Sequence, residues 1–217
     1  MLFRAILFAL TLILAASHPA AANADKAAAN ADKAVANADK AAIDPDVPKK
    51  LEAALRGLGP TIGRFEQRTG NGDTLRGQFQ MDLPERLRFA YTHGSQAIVT
   101  VSGRFIAVQD GPGGEANRFP VSATPLKFFR QAHSKGVDAA LIAAANDTPK
   151  ALSVTLRDPK NKSGGQITLY FAKPDMRLTA WHIIDAQNQP TTIMLGEMER
   201  LDSLPASTFF VLEDEWE

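Results

Sequence analysis

A catalytic or metal site would have to be assembled from the histidines, carboxylates and hydroxyls of this chain, and their spacing favours neither. His18 lies in the N-terminal apolar region, and His93, His133 and His182 are far apart with no metal-ligand spacing. The sequence contains no cysteine, so it offers no thiolate nucleophile, no thiolate ligand and no disulfide framework. There is no G-x-S-x-G elbow. Gly57-Leu58-Gly59 with Gly63 does not match a dinucleotide loop and does not follow a strand pattern. Glu213, Asp214, Glu215 and Glu217 cluster at the C-terminus, where a solvated tail is the simplest reading. No enzyme, cofactor or metal is expected. The chemistry the chain does carry is apolar: Phe65, Phe79, Met81, Leu87, Phe89, Tyr91 and Phe105 on strand-like segments, with Leu126, Phe128 and Phe129 on a helical one. Such residues ordinarily form a core; the alternative is a pocket for an apolar ligand.

The elements that must position these residues follow from periodicity. Leu51, Ala54, Leu55 and Leu58 form an apolar stripe at helical spacing, stopped by Gly57, Gly59 and Pro60. The period then changes to two. Leu75, Gly77, Phe79 and Met81 alternate with polar residues, as do Leu87, Phe89 and Tyr91. Further strands are expected at 97–102, 105–109, 152–157, 166–172, 178–185, 191–195 and 208–212, most of them separated by Gly-, Asn- and Asp-rich turns. Thr124-Pro125 opens a middle helix carrying Leu126, Phe128 and Phe129, and alanine-rich 137–145 also reads as helical. The expected fold class is mainly β with a few helices: one curved antiparallel sheet burying one face, with helices laid over its concave side like a lid.

The N-terminal region reads differently. Met1-Leu2-Phe3-Arg4, the apolar run 5–16 and the small residues Ala20 to Ala24 have the form of a cleaved export signal. The apolar run is shorter than the ~20 residues needed to span a bilayer. Residues 22–42 are three copies of a heptad, ANADKAA, ANADKAV and ANADKAA. Val35 is the only large apolar residue in them, so no coiled-coil seam can form, and the tract reads as a neutral spacer. The expected organisation is a signal peptide at 1–24, a spacer at 25–45 and one domain at 46–217. With 24 basic and 24 acidic residues the chain has no formal net charge, which argues against a nucleic-acid partner.

Three runs in order, Phe65-Glu66-Gln67, Leu75-Arg76-Gly77-Gln78-Phe79 and Pro84-Glu85-Arg86-Leu87-Arg88-Phe89-Ala90-Tyr91, resemble the periplasmic outer-membrane lipoprotein carrier family, LolA. The late segment from Leu178 through Trp181 and Asp185-Ala186-Gln187 to Thr191-Thr192 is similar to that family's late hairpin, and Leu204 with Phe209-Phe210 to its closing segment. The resemblance covers about Leu51 to Phe210. It implies an incomplete (half) antiparallel β-barrel closed by a helical lid, in a periplasmic monomer that shuttles lipoproteins from an inner-membrane ABC exporter to an outer-membrane receptor. It implies a cavity for acyl chains lined by Phe65, Phe79, Met81, Leu87, Phe89, Tyr91, Phe105 and Phe129 under a lid bearing Leu126 and Phe128. Where many members carry a lid-bracing basic residue before the strand's proline, this chain has Leu83, so the lid is expected to rest mainly on apolar contacts. A sensor or adaptor of the same fold, recognising lipidated proteins or another lipid, is the alternative function.

Overall fold

The computed structural model describes residues 43–160 and 164–212. The expected signal peptide, the repeat tract up to residue 42 and the acidic tail at 213–217 lie outside the described residues. Eleven strands form one antiparallel sheet. They are β1 (Thr61–Thr69), β2 (Thr74–Asp82), β3 (Arg86–His93), β4 (Ile98–Ser102), β5 (Phe105–Gln109), β6 (Ala116–Pro120), β7 (Ile142–Asp147), β8 (Ala151–Arg157), β9 (Gln166–Ala172), β10 (Arg177–Ile184) and β11 (Pro190–Arg200). Among the described residues two α-helices accompany them, α1 (Val47–Arg56) and α2 (Leu126–Lys135).

The strand order is β6-β5-β4-β3-β2-β1-β11-β10-β9-β8-β7. Two meanders, β1–β6 and β7–β11, therefore meet at a central β1–β11 pair, and β6 and β7 are the two free edges. The sheet does not close. The chain must pass from β6 at one edge to β7 at the other, and α2 lies on that connection. Topology alone thus carries α2 across the sheet. Phe128, Phe129 and Ala132 of α2 and Val47, Leu51, Ala54 and Leu55 of α1 are buried in the same core as the inward rows of the strands. The fold is the expected open, mainly β half-barrel with helices over its apolar face.

Three local expectations need correction. Residues 137–145 are not a helix: after a single 3-10 turn at Ala139–Leu141, Ile142 begins the edge strand β7. Alanine's helix preference is weak, a few tenths of a kcal/mol per residue, and pairing with β8 from Ile142–Leu156 to Asp147–Leu152 outweighs it. The segment at 208–212 is not a strand: Thr208 and Phe209 end a 3-10 turn, Ala206–Phe209, and 210–212 continue without regular structure. It crosses the outer side of the sheet, with the Gln109 side chain donating to the Leu212 carbonyl at 2.6 Å. In addition β6, which is not among the expected strands, is a polar edge strand whose residues Asn117 and Arg118 are exposed.

Candidate functional site

The opening motifs are a packing device. In register, Phe65 on β1 stands opposite Gly77 on β2, and Gly63 opposite Phe79. A Cβ on Gly77 would lie 2.1 Å from the Ala90 carbonyl oxygen and 2.8 Å from the Phe65 ring. One on Gly63 would meet the Glu197 carbonyl oxygen at 2.5 Å and the Phe79 ring at 2.8 Å. Each glycine therefore makes room for the phenylalanine of the neighbouring strand. The rings continue across the sheet. Phe65 meets Phe89 edge-on at 4.7 Å and Tyr91 at 5.0 Å; Phe89 lies 6.1 Å from Phe79 and 5.8 Å from Trp181. Such edge contacts add about 0.5–1.5 kcal/mol each beyond area burial. One polar pair sits inside: the Tyr91 hydroxyl donates to Oε1 of the fully buried Gln67. Burial raises the Tyr91 phenol above its usual pKa, so it stays a donor. The indole N–H of Trp181, 3% exposed, has no acceptor among the described residues.

Of the residues expected to line a cavity, Phe65, Phe79, Met81, Leu87, Phe89, Tyr91 and Phe129 are buried in this core. Phe105, expected to line the cavity, is the exception. It is 55% exposed, because the register Arg86–Ser102–Phe105–Pro120 places it on the outer row of the sheet. Ile106, paired with Val101, takes the inward position. The sequence Phe105-Ile106-Ala107-Val108 has apolar residues in both phases of a period-two pattern, so its facing is ambiguous without the register.

One open space lies at an end of the sheet. A cleft of about 630 Å³ runs between α1, the starts of β1 and β10, and the ends of β2 and β11. Met81, Met176, Met198, Leu58 and Leu178 make its apolar lining, with Lys50, Lys173, Asp175, Arg177 and Arg200 around it. Its volume is within the ~300–1,000 Å³ usual for small-molecule sites. Only Met81 of the expected lining residues borders it. Met176 and Met198 were missed, the first because it sits in a turn and the second because it lies beyond the bulge where Gly63 pairs with Met198 but Phe65 with Leu195.

The lid helix is held in two ways. Leu126 is partly buried against the core, and Phe128 and Phe129 are buried in it. In addition Arg130 donates to Glu85, in the β2–β3 turn, at 2.8 Å. The ion pair was not expected from the sequence. Leu83 packs against the core, Arg86 pairs with Asp82 and covers the Phe209 ring, and Arg88 donates to Gln80. Burying two phenylalanines is worth about 1.5–3 kcal/mol each, while a partly exposed ion pair contributes about 0–1 kcal/mol, so apolar contact dominates. His133 and His182 belong to separate elements, His182 sharing a hydrogen bond with Thr192 at 2.8 Å. Among the described residues no three His, Asp or Glu side chains are grouped to hold a metal.

No curated protein matches the sequence. Among solved structures the chain is similar to a LolA superfamily protein from Nitrosomonas europaea, with 12% identity and a TM-score of 0.45 over 76% of this chain and 97% of that one. It is also similar to the MucA/MucB complex of Pseudomonas aeruginosa, with 12% identity and a TM-score of 0.41 over 76% and 59%. Lipoprotein LppX of Mycobacterium tuberculosis gives 11% identity and a TM-score of 0.34 over 72% and 99%. The family model described as outer membrane lipoprotein carrier protein LolA matches residues 60–211, so the chain belongs to that family.

Proposed function

We propose that the protein is a periplasmic carrier that shields the acyl chains of lipoproteins and conveys them from the inner to the outer membrane. The carrying observation is a continuous apolar face of one open sheet, closed by a helix that joins its two free edges and rests on it through Phe128 and Phe129. A lipidated protein cannot cross water unshielded. Burial is worth ~0.8 kcal/mol per methylene, on the order of ten for one long chain. That is enough to compete with the contacts holding α2. The aromatic cluster is filled in this conformation, so cargo would displace α2 and spread from the cleft beside Met81 into the space it vacates. The unpartnered indole N–H of Trp181 supports the same reading, since a lipid ester or amide carbonyl would satisfy it. An inner-membrane ABC exporter would load the carrier and an outer-membrane receptor would unload it.

The test is release of palmitate-labelled lipoprotein from spheroplasts into the soluble fraction by added protein. Release is expected with the natural chain and loss of it with Met81→Glu, which puts a carboxylate into the apolar wall at a cost of several kcal/mol to any bound chain. No release by folded natural protein would refute the carrier reading.

A further inference from the structure

The cleft at the α1 end of the sheet differs chemically from the aromatic cluster. Its lining is flexible: Met81, Met176 and Met198 come from three separate elements. Methionine side chains adapt to a ligand without a defined shape, such as an alkyl chain. Its border is cationic, with Lys50, Lys173, Arg177 and Arg200 against the single carboxylate of Asp175. The lysines are already engaged. Lys50 donates to Asp147 at 2.8 Å and to Asp44 at 3.1 Å, and Lys173 also pairs with Asp147. The arginines are less committed. Arg177 meets Asp175 only at 3.7 Å, with both side chains more than half exposed, a contact worth little in water. Arg200 donates to the Gly57 carbonyl at 3.0 Å and is paired with no carboxylate among the described residues. Its position is built in: it lies over Gly59, where an added Cβ would come within 2.8 Å of Nη2.

We propose that this cleft binds one acyl chain carrying an anionic headgroup, a carboxylate or a phosphate monoester or diester. The chain would lie on the methionines and the anion against Arg200 and Arg177. The planar guanidinium fork suits both oxyanions, and the volume suits one chain, not the several of a fully acylated lipoprotein anchor. The inference rests on the acyl-carrier reading for the nature of the chain, and adds a headgroup preference that a neutral glyceryl-linked anchor would not exploit.

The test uses protein recovered from expression of the full chain, delipidated, and titrated calorimetrically with palmitate, palmitoyl lysophosphatidylglycerol and neutral monopalmitoylglycerol below their micelle concentrations. The anionic lipids are expected to bind at least about tenfold more tightly than the neutral one, as a charge-assisted contact should. The two anions distinguish carboxylate from phosphate as the preferred headgroup, and tight binding of either supports the proposal. Arg177→Gln with Arg200→Gln should erase the preference, bringing the affinities of the three lipids together; Arg177→Gln alone, at an exposed position, should remove part of it. Equal affinity for all three lipids, a preference that survives in the double variant, or no binding would overturn the proposal. A triacylated lipopeptide titrated in parallel separates the readings. Tight lipopeptide binding without anion preference leaves the carrier standing and removes the headgroup site. Anion preference without lipopeptide binding does the reverse.

Discussion

The residues that make the family recognisable in the sequence are those that let two adjacent strands carry large rings on one face. Phe65 over Gly77 and Phe79 over Gly63 are reciprocal, and neither ring fits if its glycine gains a side chain. At Gly77 the obstruction is a backbone oxygen 2.1 Å from the new Cβ, which no rotamer change relieves. Gly77→Ala should therefore behave as overpacking, costing about 1–3 kcal/mol and lowering the thermal midpoint by ~2–4 °C per kcal/mol. Gly196→Ala is the control, because its nearest neighbour would be an ordinary 3.5 Å away. Equal midpoints for the two variants would show that Gly77 is not there for the ring. Residue-level facing was legible wherever the alternation was clean: Leu87, Phe89 and Tyr91 are separated by Arg88 and Ala90 and all point inward. It failed at Phe105, where consecutive apolar residues leave the phase open and only the pairing with Ser102 decides it.

At the scale of elements, α2 was legible from Thr124-Pro125 and its paired phenylalanines, and α1 from its apolar stripe, because local signals and packing agree. The edge strands β6 and β7 were not legible, since one is polar and the other alanine-rich, and both are strands only because a neighbour supplies the hydrogen bonds. The Arg130–Glu85 pair was equally invisible, joining groups brought together only by folding. A pH dependence follows from α2. Burial, with the nearby Arg56 charge, holds His133 below its usual pKa, and Glu85 offsets this in part. The undocked helix therefore takes up a proton near pH 6.5 that the docked helix refuses until lower pH. Docking is undiminished above pH 6.5 and weakens as the pH falls from there toward the docked-state pKa. Amide exchange in α2 should accelerate between pH 7 and 5.5, after correction for intrinsic rates, relative to exchange in β1. His133→Gln should abolish the difference; if it persists, another group is responsible.

Across the whole molecule, the central β1–β11 pair joins two meanders whose far edges are linked by the segment that carries α2, so the covering of the open sheet depends on one connection. The sequence showed many short strands with helices between them, and hence an open, lidded sheet, but the strand order is a non-local fact that no window of residues contains. What precedes α1 bears on where the folding unit begins. Among the described residues, Asp44 is the first with an ion-pair partner, Lys50, and Val47 is the first large side chain in the core, at 1% exposure. The repeat tract up to residue 42 brings almost no apolar area, so its contribution to folding stability should be small. Deleting residues 25–42 leaves the Asp44–Lys50–Asp147 contacts and the buried face of α1 intact. The thermal midpoint is expected to move by less than ~2–4 °C, the shift that 1 kcal/mol gives in a domain of this size. Truncation through Val47 should cost more, because a buried valine contributes about 1.5–3 kcal/mol. Comparing the two deletions by calorimetry locates the boundary. A large drop on removing 25–42 alone would mean that the tract packs on the sheet, and the unit that folds would then begin inside the repeats.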